Sequence, residues 1–204
     1  NDNTIFKDIY QLWFTQYKQT VKESTWVTTQ RLFRLHILPI FSDYRIAKIS
    51  IKDCQKAINQ WFNAGLAKYH TLMNYVAKVL DYAINIDLIN ENPAKRVIVP
   101  VNKNDRSRKN LENYFDKAEL HHFFECLNDD DNTPQASVFF RLAAFTGMRK
   151  SEMLCLEWSD IDFSNHTIRV NKTQSRGDGA RLLVQAPKTA RSNRTVYLDP
   201  TTIK

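Results

Sequence analysis

Apolar residues along the first ninety positions recur at helical spacing. In "TIFKDIYQLWFTQYKQTV" they put Ile5, Ile9, Leu12 and Trp13 on one face. After a break at "KES", Ser24 is placed to cap a second helix carrying Trp26, Phe33 and Ile37, which should end before Pro39. "SIKD" forms a capping box, Ser50 with Asp53, opening a helix that runs to Gly65. The clearest period lies in "YHTLMNYVAKVLDYAINIDL": Leu72, Tyr75, Val76, Val79, Leu80, Ala83 and Ile84 share one face, and Thr71, Asn74, Lys78, Asp81 and Asn85 the other. Pro93 then stops this helical half.

From Lys95 to Tyr114, apolar periodicity fades after Val101 and six Lys/Arg face two carboxylates, so a basic linker between two domains is expected. Helical spacing returns in "FDKAELHHFFECL", where Asp116 and Glu119 form a second capping box. "PQASVFFRLAAFTG" is apolar on nearly every side, which predicts a buried helix ended by Gly147, and "MRKSEMLCLEW" starts a short one. Then "HTIRVNKT", "ARLLVQAP" and "NRTVYLD" alternate or carry β-branched residues between turn-rich stretches, predicting three strands of one small antiparallel sheet.

Composition narrows the function classes. A length of 204 residues with 43% hydrophobic content suits one large or two small folded domains. A formal charge of +7, from 29 basic and 22 acidic residues, favours a polyanionic partner. Three widely spaced cysteines, Cys54, Cys126 and Cys155, argue against a zinc site or a disulfide framework and for a reducing cytoplasm. His121–His122 reads as surface and no metal-ligand cluster stands out, so neither metal nor cofactor is expected. No secretory signal or membrane-spanning apolar run is present. The chain lacks an initiator Met and stops at "YLDPTTIK", just after a predicted strand, so a piece of a longer protein is expected.

The basic pair Arg149–Lys150 interrupts the apolar stretch "AAFTGMRKSEMLCLEW", and this pattern resembles the catalytic domain of tyrosine recombinases, the phage and transposon integrases. The match runs through Thr146, Gly147, Arg149, Glu152, Leu154, Leu156, Trp158, Asp160 and Asp162. It continues in "PKTARSNRTVYLD" at Lys188, Thr189, Ser192 and Arg194. "STW", "LPIFSDYRIAKIS" and "LINENPAKRV" are similar to the core-binding domain of the same enzymes. The resemblance implies a mainly α protein with a small antiparallel β-sheet. An all-α SAM-like core-binding domain (1–94) would be followed by the linker (95–114) and a partial α+β catalytic domain (115–204).

These enzymes cut and rejoin DNA through a 3′-phosphotyrosine, without metal. The resemblance makes Arg149 a ligand of the scissile phosphate, since a guanidinium fork donates to two oxygens and stays charged. Its place near a helix start should add backbone donors to the same anion. Glu152 would orient a neighbouring catalytic group, and Lys188 would be the general acid for the leaving 5′-oxygen. Duplex DNA would be clamped between two lobes. Thr25, Thr28 and Arg31 on one helix and His70, Thr71, Asn74 and Lys78 on another would lie along the groove. Lys103, Arg106, Arg108, Lys109, Thr189 and Arg191 would meet the backbone. The family's His-x-x-Arg, further His or Trp, and nucleophilic tyrosine lie beyond the hairpin. Here the last histidine is His166 and the only later tyrosine is Tyr197, in a predicted strand. The parent would therefore be a recombinase acting as a tetramer in the bacterial cytoplasm. This piece, possessing no nucleophile, would be a monomer competent only for DNA binding. Two alternatives remain: a non-catalytic DNA-binding module, and a helical protein-interaction domain.

Overall fold

The computed structural model describes residues 3–101, 114–129, 134–187, 189 and 192–203. It divides into two compact units, Asn1–Arg108 and Lys109–Lys204.

The first unit is helical: α1 (Phe6–Thr20), α2 (Glu23–Leu32), α3 (Leu38–Phe41), α4 (Ile51–Asn63) and α5 (Tyr69–Asn85). Its core joins Phe6, Ile9, Trp13 and Phe14 of α1 to Phe33, Ile37 and Phe41, to Cys54, Ile58 and Trp61 of α4, and to Leu72, Val76, Val79 and Leu80 of α5. Leu12, expected on the inner face of α1, is instead exposed, because Tyr10 and Phe14 take the remaining inward positions. The Ser50–Asp53 box is formed: Asp53 N donates to Ser50 Oγ at 3.2 Å and Ser50 N to Asp53 Oδ2 at 2.9 Å.

Two helix limits differ from expectation. Ser24 lies inside α2, whose N-cap is Lys22. The chain also stays helical through Pro39, because the turn Phe33–Ile37 widens and Leu38 N reaches back five residues to Phe33 O. Such a π turn absorbs the hydrogen bond that a proline cannot donate. At its far end α5 stops at Asn85, eight residues before Pro93, which opens a 3₁₀ turn, Pro93–Arg96. Buried Asn92 secures this return: its Nδ2 donates to Ala77 O and Asp81 Oδ1, both at 2.8 Å, and its Oδ1 accepts from Ala94 N. Beyond the turn, Gln55 of α4 grips both backbone groups of Ile98, and Tyr69 Oη donates to Pro100 O.

Among the described residues, the second unit holds α6 (Lys117–Asp129), α7 (Pro134–Thr146), α8 (Lys150–Met153) and five short strands: β1 (Ile161–Asp162), β2 (Thr167–Val170), β3 (Thr173–Arg176), β4 (Leu182–Gln185) and β5 (Arg194–Tyr197). The Asp116–Glu119 box opens α6. The expected single sheet is two: β1–β2–β5 and a separate β3–β4 hairpin, all antiparallel. "HTIRVNKT" breaks at Asn171–Lys172, where Lys172 Nζ is drawn to Asp160 and Glu157, each at 2.8 Å. The hairpin turns at Gly179 and Ala180, both with positive φ. Met148, Met153, Ile168 and Val170 form the core, with Phe139 and Leu142 of α7 against it. Contrary to expectation α7 is not enclosed: Val138, Phe140 and Phe145 are exposed. A helix apolar all round needs cover on every side, and α6 with the small core covers only part of it.

Candidate phosphate-binding site

The site begins where α7 ends. Gly147, at φ +63°, reverses the chain, a conformation that costs a glycine little. Buried Met148 anchors the reversal in the core, and Arg149 emerges in extended conformation just ahead of α8. One turn on, Glu152 points inward with its side chain 2% exposed. Its carboxylate accepts from Arg149 N (2.8 Å) and Arg149 Nη1 (2.9 Å). The same two oxygens accept from Arg194 Nη1 (3.1 Å) and Nη2 (2.8 Å), reaching over from β5. Arg194, then the Arg149 backbone and side chain, together outweigh burial and hold the Glu152 carboxyl down at about 2. The Arg149 side chain is 69% exposed and that of Arg194 30%, so one guanidinium of the pair is offered outward and the other is committed inward.

This geometry brings Arg149 and Glu152 together and commits two backbone donors near the α8 start. The α8 start does not add the Arg149 amide to an anion site, because that N–H is already taken by Glu152, and Met148 N donates to Thr146 Oγ1. Lys188 and Arg191 lie outside the described residues, as do Lys103, Arg106, Arg108 and Lys109. Thr189 is exposed in the turn that follows Lys188, its hydroxyl 3.0 Å from that of Ser192.

A second ion cluster flanks the site. Asp160, with its side chain 2% exposed, accepts from Lys172 Nζ and from Glu157 N, and Arg169 stands 4.0 Å away. Burial would raise the Asp160 carboxyl; the Lys172 ammonium and the Glu157 amide outweigh it and hold it low. Asp162 instead fastens the β1–β2 turn through Asn165. Tyr197 lies in β5 opposite Thr167, within the sheet. His121 and His122 are exposed beside Glu125. Among the described residues no group of three His, Cys, Asp or Glu is gathered as a metal would require, and no helix is long and apolar enough to cross a membrane.

In the first unit, Thr25, Thr28 and Arg31 are exposed along α2, and His70, Thr71, Asn74 and Lys78 along α5. A polar seam ties the two helices. Buried Thr29 Oγ1 lies 2.9 Å from Tyr75 Oη and 3.2 Å from Tyr17 Oη, and Lys78 Nζ rides over the Tyr75 ring at 5.4 Å. Thr29, Tyr75 and Tyr17 of the seam, and Arg194, are not singled out from sequence as functional. Arg194 had a visible signal, a cation opening a strand six places after Lys188, but nothing local pairs it with Glu152.

Comparison with known proteins agrees with this arrangement. The phage integrase N-terminal SAM-like domain matches residues 5–62, and the phage integrase family matches residues 113–198. A probable integrase of prophage ps2 from Lactococcus lactis is 27% identical over 201 residues, covering 96% of this chain and 52% of the relative. The ICEBs1 integrase of Bacillus subtilis is 24% identical, covering 98% and 52%. The chain thus spans about half the length of the relatives it matches. Among solved structures, the Tn1549 transposon integrase in complex with transposon right end DNA shares the fold at a TM-score of 0.76 and 20% identity, over 98% of this chain and 63% of that one. A lambda integrase tetramer bound to a Holliday junction does so at 0.70 and 13%, over 91% and 51%. With a SAM-like helical domain followed by the arginine–glutamate element of the catalytic domain, the chain belongs to the phage integrase family of tyrosine recombinases.

Proposed function

We propose that the full-length protein catalyses site-specific DNA recombination, cutting and rejoining strands through a 3′-phosphotyrosine, and that this chain supplies its DNA-gripping half. The observation that carries the reading is Arg149: an outward guanidinium fixed at its base by a buried carboxylate, as a phosphate ligand requires. Nonbridging oxygens gain charge in the pentacoordinate transition state, and a pre-oriented cation there stabilises it more than the ground state. Glu152 orients Arg149. Lys188, near the Thr189–Ser192 turn, protonates the leaving 5′-oxygen. The reaction needs no metal or cofactor.

Duplex DNA is the partner. Thr25, Thr28 and Arg31 of α2 and His70, Thr71, Asn74 and Lys78 of α5 face it, and Lys103, Arg106, Arg108, Lys109, Thr189 and Arg191 meet phosphates. Residues 1–94, 95–114 and 115–204 serve as groove-binding domain, basic linker and catalytic portion. Tyr197 pairs with Thr167 in the sheet, is 78% exposed, and is read as a sheet residue; the attacking tyrosine is taken from outside this chain, which alone binds DNA without cutting it. The lambda relative assembles as a tetramer on a junction, and the intact enzyme is read as doing the same. Its free cysteines fit a reducing cytoplasm.

The test is covalent trapping on a nicked duplex. The full-length protein should form a protein–DNA adduct, and this chain alone should retain duplex while forming none. An adduct from this chain, or none from the full-length protein, would overturn the reading.

A further inference from the structure

We infer that Arg194 is a positioning residue for strand cleavage: it holds the Glu152 carboxylate so that Arg149 keeps both its orientation and a net positive charge toward a DNA phosphate. The inference rests on the function proposed above and deepens it.

Charge comes first. A carboxylate 2.9 Å from Arg149 Nη1 cancels most of the field that should attract a phosphate, and it would itself repel the incoming oxygens. The pair Arg149–Glu152 is neutral. With Arg194 the cluster carries one net positive charge, and its exposed member is Arg149. Arg194 is also spent inward. Nη2 donates to Glu152 Oε2 at 2.8 Å, and Nη1 is shared between Glu152 Oε1 at 3.1 Å and Ser192 O at 3.3 Å. This two-pronged grip fixes the carboxylate plane, and the carboxylate in turn fixes Arg149.

Position follows from the same contacts. Ser192 N donates to Thr189 O at 3.0 Å, so the turn gripped by Arg194 is the one that begins immediately after Lys188. One guanidinium therefore links the element bearing Arg149 to the Thr189–Ser192 turn, which follows Lys188 in sequence. The largest influence holding the Glu152 carboxyl low is the Arg194 hydrogen bond, as this role requires.

The test uses the full-length protein carrying Arg194→Gln, Glu152→Gln, or both. Single-turnover adduct formation on a nicked duplex is followed beside duplex affinity and thermal melting. Arg194→Gln should slow adduct formation by about 100-fold while affinity stays within about threefold. It should also bring an acid limb into the pH profile, as Glu152 titrates closer to its ordinary 4.5. Adding Glu152→Gln should recover about tenfold, since the carboxylate that cancels the charge of Arg149 is gone. A purely structural role gives no such recovery. A wild-type rate for Arg194→Gln, or a double variant no faster than the single, would overturn the inference. Should Arg194→Gln fail to fold, Arg194→Lys keeps the charge without the fork and should cleave at an intermediate rate; a wild-type rate would overturn the claim. Should the wild type form no adduct, the proposed function fails. The Glu152 carboxyl, titrated by carbon NMR in this chain, then decides whether Arg194 holds the carboxylate at all: a rise on Arg194→Gln supports that hold, and no rise refutes it.

Discussion

Glu152 and Arg194 stand 42 residues apart and meet through two hydrogen bonds, one on each carboxylate oxygen. That contact joins the short helix after Gly147 to the last strand, and it has a consequence in acid. The Glu152 carboxyl is lowered in the folded state, so its contribution to stability is complete above its unfolded value near 4.5 and disappears as pH falls toward about 2. Asp199, held to about 2 by Thr202 and Arg141, acts in the same direction and window. The melting midpoint of the second unit should fall by several degrees between pH 5 and pH 2.5, and Arg141→Gln should shrink that fall. A midpoint flat across this interval would refute the pairing.

The seam between α2 and α5 makes a second prediction. Thr29 is fully buried and shares hydrogen bonds with Tyr75, Tyr17 and Thr25 O. Thr29→Val keeps the shape and removes the hydroxyl, so it should destabilise the first unit by about 1–2 kcal/mol in urea unfolding. Because α2 and α5 would no longer be held in register, duplex affinity should weaken as well. A loss of stability with unchanged affinity would detach the seam from DNA binding.

Charge on the proposed DNA face should behave as phosphate contact. Arg31→Ala, Lys103→Ala and Arg108→Ala should each weaken binding to unrelated duplexes alike, and each should reduce the salt slope by about one. Selective weakening on a single sequence would mark a base reader instead.

Thiol chemistry checks the core. Burial pushes the Cys54 thiol up to about 12 and also raises that of Cys155, whereas Cys126 is exposed on α6. Iodoacetamide should label Cys126 readily and reach the other two only in denaturant. Fast labelling of Cys54 in the folded chain would contradict the packing of α4.

Much of this was readable from sequence where the determinants are local. Ser50 with Asp53 and Asp116 with Glu119 are three residues apart, so their boxes could be identified directly. The α5 stripe Leu72–Val76–Val79–Leu80–Ala83 carries its own period. Rules resting on one residue did less well. Pro39 should have ended a helix, but a widened turn supplied the register that proline cannot. "HTIRVNKT" has strand propensity throughout, yet the pull of Asp160 on Lys172 splits it, and no pattern within the segment encodes that partner. At the site, Arg149 and Glu152 were legible through their family spacing. Arg194 was seen as part of a motif, but its role was not, because a carboxylate 42 residues upstream decides it.

Arg149 carries the proposed grip on the scissile phosphate. The most direct test is Arg149→Ala in the full-length protein, with adduct formation on a nicked duplex measured beside duplex affinity. Cleavage should slow by about 100-fold or more, with affinity nearly unchanged. Adduct formation at the wild-type rate would contradict that grip.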